Sequence, residues 1–135
     1  MSAVVVGYVP GAVGRAALDR GVIEARQRGL PLVVVNATRG DALVDDRYVQ
    51  GGDADALRAE LAALDVPAEL RQMSDGLDIA EDLQRVASEV GASLVVIGLR
   101  RRSAVGKLIL GSAASRILLT VTHPVMAVKP SPAVT

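Results

Sequence analysis

Residues 94–112 have the sequence LVVIGLRRRSAVGKLILGS, in which an apolar run leads into a loop with a glycine at each end. The run 94–97 is apolar at every position, which is typical of a strand buried on both faces of a parallel sheet. Gly98 follows that strand, and Gly111 and Ser112 begin a helix, whose free N–H groups and dipole favour an anion. Parallel α/β sheets bind ligands outside the carboxyl ends of their strands, so this loop is a candidate binding site.

The rest of the chain alternates between apolar runs and segments with helical periodicity. Further strands are predicted at residues 3–9, 32–35, 67–73 and 125–128. Helices are predicted over 13–28, 54–64, 79–90 and 112–121, and the longest loop over 38–52. Gly29 and Gly91 are the expected C-terminal stops of two of these helices. The alternation predicts an α/β protein, with a parallel sheet, right-handed crossovers and helices on both faces.

Length and composition restrict the classes of function. The 135 residues correspond to one domain, and the absence of cysteine excludes a disulfide framework and a thiolate metal site. The 15 basic residues are balanced by 15 acidic ones, and two tyrosines are the only aromatic residues, so we expect no nucleic-acid partner. No apolar run approaches the roughly 18 residues of a membrane span, and the N-terminus leads into a strand rather than a signal peptide. We therefore expect a cytoplasmic protein that does not bind membranes.

The glycine-bounded loop resembles the binding loop of universal stress proteins. Nucleotide-binding members of that family carry Gly, two residues, Gly, nine residues, Gly, and then Ser or Thr. Gly98, Gly111 and Ser112 fill that frame, whereas Arg101 stands in place of the second glycine. The ending HPVMAVK, residues 123–129, is similar to the terminal strand of the family.

The resemblance extends over nearly the whole chain, because the order of strands and helices matches as well. The chain is identified as a member of the family, with a universal stress protein domain at 1–129 and a flexible tail at 130–135. The resemblance implies a single-domain, doubly wound, Rossmann-like sheet of five mostly parallel strands in the order 3-2-1-4-5. It also implies a homodimer, because the terminal strand pairs across a dimer in many members.

The resemblance implies an adenine nucleotide, such as ATP, lying across the ends of strands one, two and four, with Mg²⁺ bound only together with the nucleotide. Val9 stands where nucleotide-binding members usually have an Asp that contacts the ribose or adenine, and valine cannot accept a hydrogen bond from a hydroxyl. The expected site is therefore degenerate. The residues assigned to nucleotide binding are Val9, Ala37, Ile97, Gly98, Arg101, Gly111, Ser112 and Ala113.

Several of these residues also have purely structural interpretations. Gly98 and Gly111 are compatible with plain turns, Ser112 with a helix cap, and the arginine run 100–102 with a solvated loop. Asn36 at the end of the second strand is typical of a turn residue.

Three functions remain open from the sequence. The first is a regulatory, nucleotide-binding stress protein, and the second is a dimeric interaction protein that does not bind nucleotide. The third, slow ATP hydrolysis, is least favoured because no general base or water-positioning residue can be named, so we expect no enzyme and no catalytic or metal-binding residues. The apolar strand 125–128 would leave a sheet edge unpaired, and antiparallel pairing with its copy under twofold symmetry predicts a homodimer.

Overall fold

The computed structural model describes residues 2–37, 51–73, 78–99 and 111–130. Strands and helices alternate along these residues, as the sequence predicts. In chain order they are β1 (Ala3–Gly7), α1 (Ala12–Arg28), β2 (Leu32–Ala37), α2 (Gly51–Ala62), β3 (Ala68–Met73), α3 (Ile79–Val90), β4 (Ala92–Gly98), α4 (Ser112–Thr120) and β5 (Val125–Val128).

The five strands form one parallel sheet in the order β3-β2-β1-β4-β5, which confirms the predicted α/β architecture. The central strand β1 pairs with β2 on one side and β4 on the other, so that Val5 lies between Val33 and Val95. The chain winds outward from β1 in both directions, and the strand order therefore reverses between β1 and β4.

Two apolar cores lie on opposite faces of this sheet. Because alternate strand residues face opposite sides, Val4 and Val6 pack with residues of α1 and α2, while Val5 packs with residues of α3 and α4. All three valines are fully buried. Helices therefore cover both faces of the sheet, and none of those in the described ranges has the length and apolarity of a transmembrane span.

Specific end signals explain where the helices begin and end. The Asp78 side chain accepts a hydrogen bond of 2.9 Å from the Glu81 N–H and caps the start of α3. Gly29 and Gly91 have the left-handed conformation that favours glycine, with φ of 66° and 62°, and they end α1 and α3 as predicted.

The strand ends differ from the sequence prediction where tertiary contacts decide them. β1 ends at Gly7 rather than at residue 9, because the chain leaves the sheet to meet the first turn of α1. β2 continues to Ala37 rather than residue 35, because Asn36 and Ala37 pair with β3. α2 begins at Gly51, inside the predicted loop, and residues 38–50 of that loop lie outside the described residues.

Candidate functional site

The carboxyl edge of the sheet brings three of the sequence-predicted residues together. Val9 follows β1, Ala37 ends β2 and Gly98 ends β4, and these strands are neighbours. Val9 and Ala37 are half-buried at this edge. The reversal of strand order between β1 and β4 is the place where doubly wound sheets have a ligand crevice.

The first turn of α1 packs directly against this edge. A Cβ atom on Gly98 would lie 2.4 Å from the carbonyl oxygen of Val13, and a Cβ atom on Gly14 would lie 1.7 Å from that of Val9. Neither position can carry a side chain unless the backbone moves. The sequence interpretation assigned the close approach at Gly98 to a ligand or a turn, whereas the described structure explains this glycine by its contact with α1.

Among the described residues, the N-terminus of α4 is less crowded than the position of Gly98. The N-cap of α4 is Gly111, which has no side chain with which to cap the helix. Ser112 is the first helical residue, so the alternative in which Ser112 caps the helix is wrong. No acidic residue lies in the first turn, and a Cβ atom on Gly111 would meet no described atom within 4 Å. Ser112 and Ala113 are exposed, and N–H groups in the first turn of a helix have no acceptor within the helix.

Of the two remaining predicted site residues, Ile97 is buried and Arg101 lies outside the described residues. Ile97 is 3% exposed and packs in the core beneath α3 and α4, so it presents almost no surface to a ligand. Arg101 lies outside the described residues, as does the rest of the loop 100–110.

A buried amide at the end of β2 was misinterpreted from the sequence. Asn36 is fully buried, and its Nδ2 donates a hydrogen bond of 2.9 Å to the carbonyl oxygen of Tyr8. Gln72 Nε2 donates to Asn36 Oδ1 over 3.3 Å. Asn36 is thus a strand residue that ties the ends of three strands together, not a turn residue. The available signal was a polar residue directly after the apolar run 32–35.

Charged pairs connect neighbouring helices on both faces of the sheet. Arg15 of α1 donates to both carboxylate oxygens of Glu60 on α2, over 2.5 and 3.0 Å, and this hydrogen bonding holds the pKa of Glu60 below its ordinary value. On the other face, Arg116 of α4 pairs with Asp78 at the start of α3. Within the described residues, no three potential ligands come together as a metal site.

The strand order and the helices on both faces define a Rossmann-like α/β protein, with the N-terminus of α4 at the carboxyl edge of its sheet. The family model described as the universal stress protein family matches residues 1–129. A universal stress protein from Mycolicibacterium smegmatis is 46% identical over 127 residues, which cover 94% of this chain and 97% of that protein. The chain belongs to the universal stress protein family.

Solved structures share this fold. A universal stress protein from Archaeoglobus fulgidus is 28% identical with a TM-score of 0.79, and the match covers 96% of this chain and 99% of that one. A universal stress protein from Archaeoglobus fulgidus in complex with dAMP is 23% identical with a TM-score of 0.74, and the match covers 96% of this chain and 98% of that one.

Proposed function

We propose that this protein is a cytoplasmic, regulatory stress-response protein that binds an adenine nucleotide without catalysing a reaction on it. The observation that carries this proposal is the N-terminus of α4 at the carboxyl edge of the sheet, where a Cβ atom on Gly111 would meet no described atom within 4 Å. The related Archaeoglobus fulgidus protein in complex with dAMP supports an adenine nucleotide as the ligand.

The proposed site has a phosphate end and a nucleoside end. The phosphates would lie at α4, where the N–H groups of Ser112 and Ala113 and the Ser112 hydroxyl are available as donors. The nucleoside would lie across the ends of β1, β2 and β4, near Val9, Ala37 and Gly98. Mg²⁺ would enter only with the nucleotide, held largely by its phosphate oxygens.

Val9 weakens this site in comparison with an acidic residue at the same position. A charge-assisted hydrogen bond to a sugar hydroxyl contributes about 1.5–3 kcal/mol. Its absence corresponds to roughly a tenfold to hundredfold loss of affinity. Because nucleotide binding is expected to be weak, the second candidate function is that of a dimeric interaction protein that does not bind nucleotide.

A dimer is part of the proposal because the two edges of the sheet differ in charge. The β3 edge carries Glu69 and Arg71, and charged side chains discourage pairing with another strand. The β5 edge, VMAV, carries no charge. We propose that β5 pairs antiparallel with β5 of a second copy under twofold symmetry.

Calorimetric titration with ATP, with and without Mg²⁺, tests nucleotide binding. We expect saturable heat that is lost in Gly111→Trp, because an indole would fill the space at the start of α4. The matched control is Ala62→Trp, which adds the same side chain to an exposed position at the far end of α2. An absence of heat at millimolar ATP would leave the interaction protein as the function. Phosphate release above a buffer blank, lost in Ser112→Ala, would instead establish an ATPase.

A further inference from the structure

The peptide that follows β1 is held in place by a side chain of β2. Although β1 ends at Gly7, the Tyr8 N–H donates to the carbonyl oxygen of Val35 over 2.9 Å. The Tyr8 carbonyl oxygen accepts the hydrogen bond from Asn36 Nδ2, also over 2.9 Å. Both main-chain groups of Tyr8 are therefore fixed by β2 at the point where the chain leaves the sheet.

The orientation of the Asn36 amide is itself determined by a neighbour. Gln72 Nε2 donates to Asn36 Oδ1, so the Asn36 oxygen faces β3 and its nitrogen faces Tyr8. Arg58 Nη2 of α2 donates to Gln72 Oε1 over 3.4 Å. Arg58, Gln72 and Asn36, here called the Asn36 network, thus connect α2 and β3 to the end of β1.

Fixing the Tyr8 carbonyl also fixes the direction of the Val9 N–H. The two groups belong to one planar trans peptide, in which C=O and N–H point in opposite directions. Because the carbonyl points towards Asn36 on β2, the Val9 N–H points away from β2, towards the side of β1 on which β4 lies. The alternation of main-chain N–H groups along β1 leads to the same direction. The N–H groups of Val4 and Tyr8 both donate towards β2, so the N–H of the next residue, Val9, faces the opposite side. Among the described residues, the Val9 N–H has no hydrogen-bond acceptor.

We propose that Asn36 is a positioning residue for the nucleoside end of the site. Through the Tyr8–Val9 peptide it presents the Val9 N–H as a hydrogen-bond donor to an acceptor atom of the nucleoside. The Val9 side chain has no polar atom to offer, so the donor at this position comes from the main chain. This inference rests on the proposed nucleotide binding and adds the residue that shapes one end of the site.

The test separates the two ends of the ligand by comparing ATP with inorganic tripolyphosphate. Asn36→Leu removes the donor to Tyr8, and we expect the Kd for ATP to rise about tenfold while the Kd for tripolyphosphate changes less than twofold. Gln72→Glu replaces the amide that donates to Asn36 Oδ1 with an acceptor, which favours rotation of the Asn36 amide. Since Gln72 is half-buried, this second variant gives the answer if Asn36→Leu does not fold. We expect the same selective loss of ATP affinity from it.

Gln84→Glu is the matched control. The Gln84 side chain also binds the main chain, accepting a hydrogen bond of 2.8 Å from the Thr122 N–H. Thr122, however, comes just before β5 and therefore lies at the amino ends of the strands, away from the proposed site. Gln84→Glu should leave the ratio of the Kd for ATP to the Kd for tripolyphosphate unchanged. In ¹H–¹⁵N spectra without ligand, the Val9 amide resonance should shift in both network variants and not in the control.

Three results would overturn the inference. An equal loss of ATP and tripolyphosphate binding in the network variants would indicate general damage to the fold. Unchanged ATP binding in both variants would show that the Asn36 network does not act on the nucleoside, while the proposed nucleotide binding would stand. Failure of the unmodified protein to bind ATP would remove the proposed function and this inference with it.

Discussion

The carbonyl oxygen of Val13 lies 2.4 Å from the position that a Cβ atom of Gly98 would occupy. The first turn of α1 therefore rests on the end of β4, across the place where the strand order reverses. The same turn meets the end of β1, where a Cβ atom on Gly14 would lie 1.7 Å from the Val9 carbonyl oxygen. Close packing of the first turn of α1 therefore fixes the ends of β1 and β4 relative to each other.

Gly98→Ala should destabilise the fold, because the added methyl group would collide with the backbone of Val13 as well as with its side chain. Overpacking of this kind costs about 1–3 kcal/mol. Urea unfolding should show a lower transition midpoint with an unchanged slope. The control is Gly52→Ala, where a Cβ atom meets no described atom within 4 Å and the helix propensity of alanine should raise stability by up to about 1 kcal/mol. Equal stability of Gly98→Ala and the unmodified protein would contradict the observed contact.

Val9→Asp should strengthen ATP binding by about tenfold, because it supplies the acceptor for a sugar hydroxyl that valine lacks. The gain should be absent for tripolyphosphate, which has no hydroxyl to donate and is repelled by the added charge. Val9→Asn is the control for charge, since it also offers an acceptor and should give a smaller gain. Calorimetry that shows equal or weaker ATP binding in Val9→Asp would mean that the nucleoside does not lie against residue 9.

The fold was more accessible from the sequence than the site because its signals are local. The apolar runs 32–35 and 94–97 and the glycines that end α1 and α3 are read from neighbouring residues, and the structure confirms them. The role of Gly98 depends on Val13, which is remote in sequence. Asn36 contacts Tyr8 and Gln72, which lie 28 and 36 positions away in the chain. Side-chain partners at that separation follow from strand register, which no local pattern states.

Acid should weaken the connection between α1 and α2. The pKa of Glu60 is lowered from its ordinary value of 4.5, mainly by the hydrogen bond from Arg15. A carboxyl whose pKa is lower in the folded state contributes stability above its unfolded pKa, and this contribution is lost as the pH falls through the folded value. The pair is partly exposed to solvent, so we expect less than about 1 kcal/mol from it.

Glu60→Gln tests this pH dependence. The variant should be slightly less stable than the unmodified protein at pH 7, and the difference should shrink below about pH 4.5. Chemical unfolding at a series of pH values measures the difference. A constant difference from pH 7 to pH 3 would mean that the ion pair with Arg15 does not carry the effect.

Charge placed on the β5 edge should dissociate the proposed dimer. Ala127 is exposed at the centre of the uncharged edge strand, and in an antiparallel pair it would face the same strand of a second copy. Sedimentation at micromolar concentration should give a dimer for the unmodified protein and a monomer for Ala127→Arg, because two arginines would repel each other across the twofold axis. Glu69→Arg places the same side chain on the opposite edge strand, β3, and should leave the dimer intact. The proposed pairing of β5 would be contradicted if the unmodified protein were a monomer. It would also be contradicted if Glu69→Arg dissociated the dimer and Ala127→Arg did not.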